Sequence, residues 1–141
     1  MTTGRCLCGA IQYEFDGEPS LVVHCHCESC RRQTSAPVAT FVIVPKAALR
    51  FTRGEVKEFA SSPGVRRSFC GECGSPIYYR TERRAEMIDL YAGTLSDPAL
   101  VTPQCHVHAA EQLPWFEMVD ELPRYAGSRW GDPPLRVGPR K

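Results

Sequence analysis

The chain has 141 residues, 43% of them hydrophobic and 23% charged, a size and balance suited to one globular domain with an ordinary core. Seventeen Lys and Arg against sixteen Asp and Glu leave a formal charge of +1, and the longest basic runs are pairs, which argues against a nucleic-acid partner. No stretch approaches the ~18 apolar residues of a membrane span, and Met1-Thr2-Thr3-Gly4-Arg5-Cys6 lacks the basic-then-apolar order of a secretory signal, so the expected compartment is the cytoplasm.

Ala10 to Phe15 alternates apolar and polar side chains, the period of a half-buried strand. Leu21 to His24 is a short apolar run that leads into a cysteine cluster, and Glu28 to Gln33 suits a helical turn or two behind it. Val38 to Val44 is rich in β-branched residues and stops at Pro45, which predicts a buried strand. Leu49 to Thr52, Val56 to Phe59, Val65 to Phe69, Ile77 to Arg80 and Met87 to Ala92 are further short strands, separated by turn residues such as Arg53-Gly54 and Ser61-Ser62-Pro63-Gly64. Asp97-Pro98-Ala99-Leu100 predicts a helical turn capped by Asp97 or Ser96. Short strands punctuated by Gly and Pro indicate a mainly β sandwich or folded sheet. From Gly127 onward the chain is rich in Gly, Pro and Arg and reads as a loosely ordered tail, giving a domain over 1–126 and a tail over 127–141.

Eight cysteines are many for such a chain. They form a C-x-C pair (Cys6, Cys8), a C-x-C-x2-C cluster (Cys25, Cys27, Cys30), a C-x2-C pair (Cys70, Cys73) and a lone Cys105. Four disulfides would suit a secreted domain, but the close pairs and the expected reducing compartment both oppose them. A redox role for Cys70-Gly71-Glu72-Cys73 lacks the surrounding βαβ pattern of a thioredoxin. Zinc explains the spacing better. A C-x2-C pair is half of a tetrahedral thiolate site, and Cys6 with Cys8 supplies the other half across 61 intervening residues. Four thiolates leave no exchangeable position, so this site is expected to be structural. Cys25, Cys27 and Cys30 offer three ligands. Spacing alone leaves two readings open: an open, catalytic site, or a second structural site closed by His24, His26, Cys105, His106 or His108.

The segments Gly4-Arg-Cys-Leu-Cys-Gly-Ala-Ile, Cys25-His-Cys-Glu-Ser-Cys-Arg31 and Phe69-Cys-Gly-Glu-Cys-Gly-Ser-Pro resemble the glutathione-dependent formaldehyde-activating enzyme family, whose domain also occurs in centromere protein V. The resemblance runs over roughly residues 4–125 and takes in Pro103-Gln-Cys-His106-Val and Leu113-Pro-Trp115-Phe-Glu. It implies a zinc-stabilised β-tent of short antiparallel strands with two zinc ions per chain: one on Cys6, Cys8, Cys70 and Cys73, the other on Cys25, Cys27 and Cys30 with an open fourth position. It also implies carbon–sulfur lyase chemistry, the condensation of glutathione with formaldehyde. The expected partner is therefore a small thiol, not a nucleic acid or a membrane.

Arg31 and Arg32 are candidates to offset the charge of the thiolates or to hold a substrate carboxylate; both are also readable as solvated surface groups, the favoured reading for Arg32. His106 matches the family's histidine, as an acid, base or orienting group or as a core histidine bonded to backbone. His24 and His26 flank ligands, as orienting or surface groups; Trp115 and Phe116 read as core or pocket wall, and Cys105 as a small buried hydrophobe. The leading reading is a zinc-dependent lyase on a thiol–aldehyde adduct. The alternatives are a non-catalytic zinc module that binds a thiol or protein, and a zinc–thiolate redox sensor.

Overall fold

The structure, a computed structural model, describes residues 1–129 and 134–137. In chain order the strands are β1 (Thr2–Arg5), β2 (Gln12–Phe15) and β3 (Leu21–Cys25), followed by the helix α1 (Glu28–Thr34). Then come β4 (Ala39–Pro45), β5 (Leu49–Arg53), β6 (Lys57–Ser62), β7 (Val65–Phe69), β8 (Pro76–Thr81) and β9 (Met87–Tyr91). The last three are β10 (Cys105–Val107), β11 (Pro123–Tyr125) and β12 (Pro134–Val137). The architecture is mainly β, as the spacing of short apolar runs predicts.

The chain divides into two compact units, Met1–Leu21 with Val42–Val101, and Val22–Phe41 with Thr102 onward. In the first, β1, β2 and β5 form a small antiparallel sheet in which Tyr13 faces Gly4 on one side and Phe51 on the other. Gly4 is required there, because a Cβ would sit 2.3 Å from the Tyr13 ring. The alternation of β2 turns Tyr13 and Phe15 inward, each buried aromatic contributing about 2–3 kcal/mol. A second ladder runs β4-β9-β8-β7-β6. Its inner residues Val42, Val44, Ile77 and Leu90 are fully buried, whereas β6 is exposed along its whole length. β6 carries Lys57 and Glu58, charges of the kind that discourage pairing at a sheet edge.

The second unit orders its strands β12-β11-β10-β3-β4, with β4 contributing Ala39–Phe41 here and Val42–Pro45 to the first unit. Two of its pairings are parallel, β10 with β3 and β10 with β11. The period-2 signal misses β10 and β11 because each is three residues long. Of the Gly/Pro/Arg-rich segment, Pro134–Val137 is a strand paired antiparallel with β11. Residues 130–133 and 138–141 of that segment lie outside the described residues. No helix among the described residues is long and apolar enough to cross a membrane.

Candidate metal centres

Cys6, Cys8, Cys70 and Cys73, all in the first unit, bring four sulfurs within 4.8 Å of one another. Two turns of the same design present them. The Cys6 N–H donates to the Ile11 carbonyl (3.1 Å) and Gly9 N–H returns to the Cys6 carbonyl (3.2 Å); Cys70 N–H donates to Ser75 (3.0 Å) and Gly74 N–H returns to Cys70 (2.8 Å). Gly9 and Gly74 have φ of +81° and +79°, the left-handed backbone that closes such a turn at no steric cost only for glycine. Backbone N–H groups reach the sulfurs as well, Ile11 to Cys6 Sγ at 3.3 Å and Glu72 to Cys70 Sγ at 3.4 Å. Burial opposes ionisation of Cys6, but the Ile11 N–H and the neighbouring thiols outweigh it and hold the Cys6 thiol below its ordinary value.

The dimensions fit zinc. A tetrahedron with Zn–S bonds of about 2.3 Å has an S···S edge of about 3.8 Å, and Cys6–Cys8 and Cys8–Cys70 are separated by 3.6 and 3.8 Å. Ser75 completes the site. Its hydroxyl accepts from Leu7 N–H (2.9 Å) and lies 3.1 Å from Cys73 Sγ, to which it donates. The Ser75 hydroxyl and N–H pull the Cys73 thiol down to about 5. In the sequence, only its place two residues after Cys73 marks Ser75.

Cys25, Cys27 and Cys30 lie in the second unit, where β3 runs into α1. Cys25 ends the strand, Cys27 is the N-cap of the helix, and Cys30 stands in its first turn. The Cys27 sulfur accepts the Cys30 N–H at 3.3 Å, as a Ser or Asp oxygen does at other N-caps. Glu111 accepts the neighbouring Glu28 N–H at 3.1 Å. The Cys25 and Cys30 thiols and the Cys30 N–H press the Cys27 thiol down to about 2, while Cys25 is raised as the donor of that cluster. Cys25 Sγ is 3.5 Å from Cys30 Sγ. Three sulfurs of this disposition also suit one face of a zinc tetrahedron. Among the described residues, no fourth His, Cys, Asp or Glu ligand atom joins the group within 4.8 Å. None of the eight cysteines is joined in a disulfide.

Among the described residues no histidine ring nitrogen joins either sulfur group. His26, between the ligands Cys25 and Cys27, is fully buried, as is His106. His26 Nε2 lies 2.8 Å from His106 Nδ1, and His106 Nε2 lies 2.8 Å from Asp120 Oδ2. Burial pushes the His106 imidazole below its ordinary value in spite of Asp120. Asp120 is held low: burial opposes, but His106, the Leu122 N–H and Arg124 outweigh it. A carboxylate only accepts, so His106 Nε2 carries the proton; its Nδ1 then accepts and His26 Nε2 donates. The β10–β3 register sets His106 opposite His24, whose ring lies 5.0 Å away and whose Nδ1 is 2.7 Å from the Thr40 hydroxyl. Burial, then the neighbouring His106, brings His24 down to about 4.

The sequence model of the glutathione-dependent formaldehyde-activating enzyme family matches residues 1–111. The chain belongs to that family. The match takes in all seven clustered cysteines and His106, and it stops short of Asp120 and Arg124. A Schizosaccharomyces pombe protein named as an uncharacterized lyase is 36% identical over 76 residues, which span 54% of this chain and 55% of that protein. The crystal structure of a Rhodobacter sphaeroides protein superposes with a TM-score of 0.59 at 23% identity, covering 72% of this chain and 91% of the other, which is a likeness of fold.

Placed in this family member, the remaining candidates divide. Arg31 directs its Nε to the His26 carbonyl (3.2 Å), so it braces the ligand loop. Arg32 pairs with Glu28 at 3.3 Å on the exposed side of α1, a surface position. Cys105 is buried and stands apart from both sulfur clusters, as a small hydrophobe would. His26 belongs to the interior and not to the surface. His106 bonds to side chains and not to backbone. Trp115 is not core: it is 72% exposed. The cause is a turn in which Phe116 N–H returns to the Leu113 carbonyl (3.1 Å), with Pro114 and Trp115 at its apex.

Proposed function

We propose that this protein is a zinc-dependent carbon–sulfur lyase-type enzyme that holds two zinc ions and acts on the adduct of a small thiol, glutathione being the family's, with an aldehyde. One observation carries the reading: Cys25, Cys27 and Cys30 present three sulfurs with no fourth protein ligand beside them among the described residues, which is the arrangement of an exchangeable zinc site. When bound there, zinc supplies an electrophilic position that favours a thiol as its thiolate or polarises an aldehyde oxygen. In the forward direction a C–S bond forms between thiol sulfur and carbonyl carbon, and the thiol proton ends on the carbonyl oxygen; the lyase direction reverses both. Neither direction changes an oxidation state. The lyase name of the Schizosaccharomyces pombe relative supports the reaction class.

The chain's own residues have assigned parts in this reading. The four-sulfur site closes the turns at Cys6–Gly9 and Cys70–Gly74 and has a structural role. Three thiolates and one divalent ion leave one negative charge, which the Arg31 guanidinium offsets from its position against the His26 carbonyl. Arg31→Ala is expected to lower the rate of adduct formation about tenfold with both metals retained.

The test pairs metal analysis with catalysis. Wild type is expected to hold two zinc ions, and Cys25→Ser and Cys70→Ser one or fewer. NMR of glutathione with formaldehyde should show exchange accelerated over the uncatalysed background by wild type and not by Cys25→Ser. Two zinc ions with no acceleration for any thiol–aldehyde pair would leave a binding module and sink the lyase reading.

A further inference from the structure

Outside the sulfur clusters, the second unit contains a chain of polar groups, with His26, His106 and Arg124 buried and Asp120 half-buried. His26 is held at its backbone as well as its ring: its N–H donates to the Val107 carbonyl (3.1 Å) and its carbonyl accepts from Arg31 Nε (3.2 Å). Its ring stacks on His106 with centroids 5.0 Å apart and planes at 26°. His106 hydrogen-bonds Asp120, and Asp120 is itself fixed, its other oxygen accepting from Leu122 N–H (3.0 Å) and Arg124 Nη1 (3.2 Å). The Arg124 side chain is 2% exposed and also donates to the carbonyls of Leu122 (3.0 Å) and Met118 (2.7 Å). The β10–β11 register sets His106 opposite Arg124, so two parallel strands and the preceding loop deliver the whole chain of contacts.

We propose that Asp120 and His106 are positioning residues for the three-sulfur site, locking His26 by its ring and thereby fixing the peptide that carries Cys25 and Cys27. The inference rests on the reading of that cluster as a zinc site. Its physical ground is that His26 lies between two ligands, so a shift of its backbone moves both sulfurs, and a ring held by His106 resists that shift. A buried imidazole pair with an ionised carboxylate at its far end is costly unless every link is made. The hydrogen bonds described at the four-sulfur site run to Leu7, Ile11, Glu72 and Ser75. The two sites should therefore respond separately. Groups that hold metal ligands from behind typically change metal affinity by about 10–100-fold when altered.

The experiment uses the full chain loaded with Co²⁺, whose sulfur-to-metal charge-transfer bands report thiolate geometry. Asp120→Asn and His106→Asn are compared with wild type, with Cys25→Ser identifying which bands belong to the three-sulfur site. The expected result is a changed three-sulfur spectrum and about tenfold or greater loss of metal affinity there, with the four-sulfur bands unmoved. Asp120→Glu should recover part of that loss. Two metals per chain with wild-type spectra and affinities in both Asn variants would overturn the positioning role alone. Loss of both sites in both variants would also overturn it, by making the chain a support of the fold. A wild type that binds one metal would overturn the zinc reading and the positioning role together.

Discussion

Single side chains decide how each sulfur is held. Ser75 lies two residues beyond the C-x2-C pair, yet its one hydroxyl proton goes to Cys73 and its lone pair accepts Leu7 N–H, which joins the two turns of the four-sulfur site. Ser75→Ala should weaken that site about tenfold in chelator competition and leave the three-sulfur site unchanged. A second single-residue effect is electrostatic. Arg80 grips Glu58 through two bonds (2.8 and 3.0 Å), and Tyr78 adds a third. Arg80 first, then Tyr78, hold the Glu58 carboxyl down at about 2, below its ordinary 4.5. A depressed carboxylate contributes stability above the unfolded value, and that contribution is lost as pH falls from about 4.5 towards 2. The pair is partly solvated, so Glu58→Gln should cost about 1 kcal/mol at pH 7 and a vanishing amount once pH falls through 2, measured as the difference between variant and wild type in urea unfolding at each pH.

At the level of elements, the junctions matter more than the strands. The β3–α1 junction changes backbone direction within two residues, which is why a strand end, an N-cap and a first-turn residue converge three sulfurs in one place. The C-x-C-x2-C spacing carries that information, because a strand followed by a helix is legible from Leu21–His24 and Glu28–Gln33. The turn at Gly74 is equally local. A Cβ there would meet nothing within 4 Å, so Gly74→Ala costs only the left-handed backbone, about 1 kcal/mol in urea unfolding. What could not be read locally is β10. Its three residues show no period, and their parallel pairing with β3 joins positions 82 apart, Val23 with Cys105. Trp115 shows the opposite failure: an aromatic beside Pro114 suggests core, but the turn geometry puts it outside.

For the whole molecule, each candidate metal site belongs to one compact unit, so removal of metal should proceed in two separable steps. Chelator titration followed by far-ultraviolet circular dichroism is expected to release the three-sulfur metal with little loss of structure. Release from Cys6, Cys8, Cys70 and Cys73 should then unfold the chain, because a closed four-thiolate site contributes its binding energy to folding. A single cooperative loss of both metals and of structure would contradict that order.

The sequence by itself located the strands between Ala10 and Ala92, most boundaries within a residue or two, but not β1 (Thr2–Arg5), and it determined which cysteines group together. Both follow from local physics: side-chain alternation, glycine and proline at turns, and the short spacing of thiols that must share one ion. Tertiary structure alone decided that His26 is interior, that His106 bonds a neighbour's ring instead of a sulfur cluster, and that Asp120 and Arg124 stand behind them. Those relations join residues 80, 14 and 4 apart. The β3–β10–β11 register, and not any local preference, brings His106 beside His26 and opposite Arg124, and Asp120 reaches them from the loop before β11.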